Sequence, residues 1–242
     1  MLLKVLFVIC IVAEMFFVPI HFKYAWPYGC KTSLIFKMLS STMFVVVGVL
    51  SMLIAGNFSS YAVFMVIGLV CGWFGDYFLH GKMTNTFFVI GFLFFLADHI
   101  LYINAFMRAS NALIPQFNKY NTPEVIAVIA MVVFAVAVGI LSKMEFSPKF
   151  FAIGVLVYAF IISIMAVRAV SLGYNLYIGG AEHGLFTFVS LTLGAVGFVL
   201  SDSTLAIILF CHKRNKPLKL FNLLTYFWGQ ILLAQTILTV VA

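Results

Sequence analysis

All three aspartates of this chain, Asp76, Asp98 and Asp202, lie inside long apolar runs, and Glu14, Lys37, His99 and Arg168 lie in such runs too. An ionisable group in a membrane span costs at least about 2.5–3.5 kcal/mol at the helix centre, so each asks for a reason. Two carboxyl groups in one poorly hydrated pocket cannot both ionise cheaply, which leaves one protonated and one as a carboxylate. Such a pair suits general acid and general base work on water, without naming a substrate. Plainer uses compete. Asp76 or Asp202 pairs with Lys37 to fix helix register, His99 bonds a backbone carbonyl in the core, and Arg168 only snorkels from the outer end of its span.

The elements that must position these groups follow from composition. Hydrophobic residues make up 64% of the 242 and charged residues 9%, against about 25% charged in an average soluble domain. Too few polar side chains remain to coat a globule of this size. A water-soluble enzyme, a disordered tail, a collagen-like rod and a disulfide scaffold are excluded, and the chain reads as an integral membrane protein. The net charge of +7 sits in short loops, so lipid headgroups and topology account for it and nucleic acid is not an expected partner. Cys10, Cys30, Cys71 and Cys211 show no CxxC spacing and read as packing residues.

Apolar runs of about 17–25 residues mark membrane spans. Eight are predicted, at roughly 2–20, 33–54, 61–80, 86–107, 124–142, 150–170, 184–210 and 221–241. The expected fold is all-α, a polytopic transmembrane bundle of eight spans forming one membrane-embedded domain over residues 1–242. Polar breaks separate the spans: Pro27-Tyr28-Gly29, Asn57-Phe58-Ser59-Ser60, the 108–123 stretch with Pro115 and Pro123, and Lys213 to Pro217. Glu14 interrupts the first run and no small-x-small site follows it, so a retained helix is expected there and not a signal peptide. One side collects Lys23, Lys31, Lys82, Lys143, Lys149, Lys213, Arg214, Lys216 and Lys219, and the other has Lys4, Arg108 and Lys119. The positive-inside rule then makes the first side cytoplasmic and places both termini outside.

Topology converts positions into depths. Asp76, Asp202, Lys37, Tyr226, Gln230 and Glu14, from five spans, are expected in one layer of the cytoplasmic half. Gly68, Gly72 and Asp76 form an i, i+4, i+8 stripe with Gly75 beside it, and Ser190, Gly194, Gly197 and Ser201 flank Asp202 similarly. Small stripes let helices approach closely, so both aspartates should face the interior. Tyr102, Tyr158 and Tyr226 read first as ordinary interfacial or core aromatics, and the many Phe as lipid-facing filler.

Three other chemistries fit less well. An intramembrane aspartyl protease would carry Gly-x-Gly-Asp, whereas Gly72-Trp73-Phe74-Gly75-Asp76 sets the first glycine one residue early, and no Tyr precedes Asp202. His21, His80, His99, His183 and His212 are scattered, so a zinc site is not expected. A transporter would often break its helices with proline, and no proline falls in a predicted span interior. A lipid-modifying hydrolase suits the cluster best.

The run Gly68-Leu-Val-Cys-Gly-Trp-Phe-Gly75-Asp76-Tyr-Phe-Leu79 resembles the GLxxSxxGDxxL signature of the YhhN-type lysoplasmalogenase family. Phe88 to Tyr102 is similar to the family's FxxGxxxFxxxHxxY span, with Gly91, Phe95 and His99 in place. Phe198-Val-Leu-Ser201-Asp202-Ser-Thr-Leu205-Ala resembles FxxSDxxLA, and Tyr226 with Gln230 the closing YxxxQ. Departures are Lys37-Met38 for a usual Lys-Pro, Gly72 for a common Ser, and the extra acid Asp98.

The resemblance implies an eight-span enzyme that cleaves the vinyl-ether bond of lysoplasmalogens to a fatty aldehyde and a glycerophospho-base, with no cofactor or metal. On that reading Asp76 and Asp202 are the catalytic acid and base, in an order left open. Lys37, His99, Tyr102, Ser201, Tyr226 and Gln230 bind substrate. The partners are a lysophospholipid and membrane lipid, in a bacterial plasma membrane or an endoplasmic reticulum membrane. A non-enzymatic lipid-binding or lipid-transporting protein, or a hydrolase of another lysolipid or ether lipid, is the alternative. Spans three and four also look like a diverged duplicate of seven and eight, each pair carrying [Gly/Ser]-Asp-x-x-Leu late in its first helix.

Overall fold

The computed structural model describes residues 1–241 apart from 27–29, 81–84, 118–119, 147–148 and 212–214. Lys82, Lys119, Lys213 and Arg214, counted above for topology, lie outside the described residues, as do the Pro27-Tyr28-Gly29 break and His212. The described residues form eight α-helices: α1 (Leu2–Ala25), α2 (Lys31–Ala55), α3 (Ser60–Phe78), α4 (Asn85–Leu113), α5 (Thr122–Leu141), α6 (Phe150–Ile178), α7 (Gly184–Phe210) and α8 (Lys216–Gln235). The first seven are long and apolar enough to cross a membrane.

The eighth expected span is not among them: α8, at 20 residues, has the length but is less apolar than the other seven. Residues 221–241 hold the end of α8 and a 3-10 turn, Thr236–Leu238, and α8 itself carries Lys216, Lys219, Asn222, Thr225, Gln230 and Gln235. Those polar side chains lower its hydropathy because several serve the bundle interior. Other boundaries moved outward. α6 runs on to Ile178, α4 to Leu113, and α1 through Pro19 to Ala25. Pro19 thus lies inside a helix, against expectation. Losing one i to i−4 bond does not stop a helix that is held along its buried stripe.

Helices α2, α3, α4, α6, α7 and α8 pack in a closed ring, with α8 returning onto α2. α1 lies in the groove of α2 and α8 and buries one stripe, Glu14, Val18, His21 and Ala25. α5 packs mainly on α6, and Ile126, Val133, Phe134 and Leu141 lie on its exposed face. Glycines permit the close crossings. A side chain at Gly197 would come within 2.8 Å of the Thr225 carbonyl oxygen of α8. At the end of the bundle where α3 begins, Asn57 Nδ2 donates to the Val240 carbonyl at 3.0 Å, and the Tyr61 and Thr236 hydroxyls lie 2.6 Å apart. Phe44, Phe106, Phe198 and Phe227 are fully buried, so part of the phenylalanine content is core and not lipid-facing filler. Cys30 likewise departs from the packing role, lying exposed just before α2.

Arg168 is the largest fully buried side chain among the described residues, 1% exposed, and does not snorkel. Its Nη1 lies 3.2 Å from Glu124 Oε1, its Nη2 3.4 Å from Ser110 Oγ, and its guanidinium stacks 5.1 Å from the Tyr120 ring. Glu124 also closes the start of α5 with Asn121: each side chain accepts from the other's backbone N–H, at 3.1 and 2.9 Å. A charge so deep cannot reach water, so the sequence supplies its partner from the neighbouring helix. Removing one member strands the other. Arg168→Met is expected to cost about 3–5 kcal/mol, measured by thermal unfolding in detergent, and Glu124→Gln in the same chain is expected to restore most of the loss.

Candidate active site

Asp76 sits in the last turn of α3, 2% exposed. Ser33, Lys37 and Ser41 form a buried i, i+4, i+8 stripe on α2 that faces it. Lys37 Nζ lies 3.0 Å from Asp76 Oδ1 and donates to the Asp76 carbonyl at 2.9 Å. That carbonyl belongs to the end of a helix, where acceptors lack intrahelical donors. The other carboxylate oxygen accepts from Ser41 Oγ at 2.6 Å and from the Tyr226 hydroxyl of α8 at 2.8 Å. Paired with an ammonium and bonded by two hydroxyls, Asp76 is a carboxylate. Glu14 of α1 is buried beside Ser40 and within electrostatic reach of Asp76.

The second aspartate has a different company. The Tyr158 hydroxyl of α6 donates to Asp202 Oδ2 at 2.5 Å and lies 2.9 Å from His99 Nε2. His99 Nε2 is 3.3 Å from the same Asp202 oxygen. His99 is fully buried, and the Asp202 side chain is 15% exposed. His99 therefore meets a carboxyl and a phenol, not a backbone carbonyl. One wall of an apolar cleft of about 150 Å3 between α4 and α6 adjoins this cluster. Phe92 lines the cleft against Gly154, and its ring lies 5.1 Å from that of Tyr158.

The expected single layer thus resolves into two clusters whose hydrogen-bond partners are separate. Lys37, Tyr226 and Asp76 come together, whereas Asp202 joins His99 and Tyr158. Tyr226 and Phe198 stand between them, with rings 5.7 Å apart and Phe198 5.2 Å from His99. Asp98 lies here, fully buried and within electrostatic reach of both other aspartates. Gln230 Nε2 points to Asp98 Oδ2 at 3.5 Å, and the Tyr102 hydroxyl donates to Gln230 Oε1 at 2.7 Å. Gly72 makes room, since a side chain there would come within 2.9 Å of Gln230 Nε2. Ser201 faces α8, where its hydroxyl and carbonyl oxygens both accept from Asn222 Nδ2 at 2.9 Å.

Ser41, Asn222 and Tyr158 belong to these clusters but were not among the expected site residues. Ser41 and Asn222 carry polar groups one turn from Lys37 and Tyr226 on the same faces, a signal available in the spacing. Tyr158 had only its polar tip in an apolar run to mark it.

His80, beyond the end of α3, lies with Nε2 3.0 Å from Ser33 Oγ and 3.4 Å from the Cys30 carbonyl. Burial, then the Lys37 ammonium, push its imidazole down to about 4. The folded value lies below the usual value of 6.5, so the neutral ring's contribution to stability is complete above about pH 6.5 and is lost as pH falls toward 4. Thermal unfolding in detergent across that window is expected to fall more steeply for the native chain than for His80→Gln.

The ring of apolar helices, with acid, imidazole and phenol groups in its interior, defines a polytopic helical membrane protein. The chain belongs to the YhhN family, whose model matches residues 32–237. α1, which brings Glu14 and His21 to the site, precedes the matched segment. No curated protein and no solved structure matches the chain.

Proposed function

We propose that the protein is a membrane-embedded hydrolase that opens the vinyl-ether bond of lysoplasmalogens, releasing a fatty aldehyde and a glycerophospho-base. The observation that carries this reading is the His99–Tyr158–Asp202 cluster beside an apolar cleft, with the paired carboxylate Asp76 across Tyr226. Membership of the YhhN family supports a hydrolase.

Vinyl-ether hydrolysis begins with slow protonation of the outer alkene carbon, which a positioned acid accelerates. In the proposed order, the hydrogen-bonded His99–Asp202 unit supplies that proton and Tyr158 holds it in place. The adjoining carbon becomes an oxocarbenium ion, stabilised by the negative field of Asp76. Water adds to that carbon and returns its proton to Asp202. The hemiacetal then breaks its bond to the glycerol oxygen, which takes a proton as the aldehyde forms. Lys37, Ser41 and Tyr226 keep Asp76 ionised and oriented, while Tyr102 and Gln230 hold Asp98 in the wall between the clusters. The basic end of the bundle is assigned to the cytoplasm, so the headgroup stays wet while the hydrocarbon chain lies among the helices.

A second reading, lipid binding without chemistry, rests on the Lys37–Asp76 ion pair, because a register-fixing pair has the same geometry. Aldehyde release from lysoplasmalogen in detergent separates the two. Wild type is expected to turn over, with Asp202→Asn and Asp76→Asn each lowering kcat by about 10²–10⁴-fold. Full activity in either folded variant sinks the two-acid assignment, and no aldehyde from folded wild type favours the binding role.

A further inference from the structure

The apolar cleft between α4 and α6 has a direction and an opening that the proposed steps leave unassigned. On α6, Phe151, Gly154 and Tyr158 follow one face, and on α4 Phe88, Phe92 and His99 do the same. The cleft takes up the first part of each stripe, and the His99–Tyr158–Asp202 cluster lies one to two turns further along. Phe92 is the step between them, in the cleft wall and with its ring 5.1 Å from that of Tyr158. From Phe151 to Tyr158 the helix rises about 10 Å.

Toward the starts of α4 and α6, aromatic rings close the cleft. The Phe88 ring lies 5.1 Å from Phe151 and 6.2 Å from Phe210, which lies 4.7 Å from Phe146. The outer wall ends at Leu93, which is 55% exposed, and Ile153 and Leu156 of α6 are exposed as well. Both helices are long and apolar enough to cross a membrane, so this opening faces lipid hydrocarbon. An apolar space of about 150 Å3 stays dry and takes a guest of about six carbons. That is a length of one hydrocarbon chain, and not two chains side by side.

Gly154 sets the room. At Gly173 or Gly197 a side chain would strike backbone at 2.8 Å, so close packing requires those glycines. At Gly154 the nearest atom to an added β-carbon is on the Phe92 ring at 3.8 Å, an ordinary contact. Alanine would fit there and would favour the helix. Packing therefore does not require this glycine, and what it provides is open space in the cleft.

We infer that the cleft seats one hydrocarbon chain received sideways from the bilayer, with Gly154 and Phe92 setting which chains fit beside the His99–Tyr158–Asp202 cluster. The carbons nearest the ether lie in the cleft, and the rest of the chain lies along the exposed apolar side chains at its mouth. Assigning the chain to a lysophospholipid rests on the hydrolase reading, and the apolar seat with its lateral mouth does not. Lipid gives an apolar group little gain on entering such a site, so the cleft selects and orients a chain without holding it tightly.

Photolabelling of the full chain in detergent reads this apart from hydrolysis. The probe is a lysophospholipid with a saturated alkyl ether and a diazirine in the chain close to the ether oxygen. Label is expected on residues 88–93 and 151–155 and is expected to be displaced by excess unlabelled lysophospholipid. Gly154→Leu is expected to lower that label by about tenfold, Gly154→Ala by less, and Phe92→Ala in the Gly154→Leu chain is expected to restore it. Label spread over the exposed helix faces without displacement overturns the proposal. So does cleft label unchanged in Gly154→Leu, or a loss there that Phe92→Ala does not restore. Displaceable cleft label in a chain that releases no aldehyde counts against the hydrolase reading alone, and aldehyde release without cleft label counts against the chain seat alone.

Discussion

A carboxylate inside an apolar bundle needs donors, and most of the interior architecture follows from how Asp76 gets them. Lys37 and Ser41 supply one side from α2, and Tyr226 supplies the other from α8. Since α2 touches both α3 and α8, satisfying one side chain draws together the helices that close the ring. Removing any donor leaves charge or lone pairs in a medium that cannot solvate them. The close approach this requires is met by Gly68 and Gly72, which leave space for Tyr102 and Gln230.

The same constraint is met again near the other end of the bundle. Arg168 and Glu124 join α6 to α5, a helix that otherwise buries little beyond Val128. Lipid offers apolar side chains no hydrophobic gain from packing on one another. A peripheral helix therefore depends on polar contacts such as this pair, and on shape, for its place. α1 is held comparably, by a stripe whose polar members Glu14 and His21 point inward.

Between these anchors the interior divides its ionisable groups into two states. Asp76 is committed to an ammonium, whereas Asp202 shares its hydrogen bonds with an imidazole and a phenol, both of which exchange protons. The aromatic rings of Phe198 from α7 and Tyr226 from α8 stand between the two clusters.

The class of protein was legible in the sequence because too few polar residues exist to coat a soluble surface. The inward faces of Asp76 and Asp202 were legible because small residues recur at helical spacing beside them. The Lys37–Asp76 pairing was legible as one of two choices, since topology placed both residues at one depth. The rest was not. Depth along a helix says nothing of rotation about its axis or of which neighbour lies across, so Asp202 was grouped with Asp76 when the packing gives it His99 and Tyr158. Arg168 read as a snorkelling side chain because its partner Glu124 lies on another helix, 44 residues away in sequence. Hydropathy set which segments are apolar, and only the tertiary structure decided how they meet, because partner choice depends on the order and rotation of packed helices.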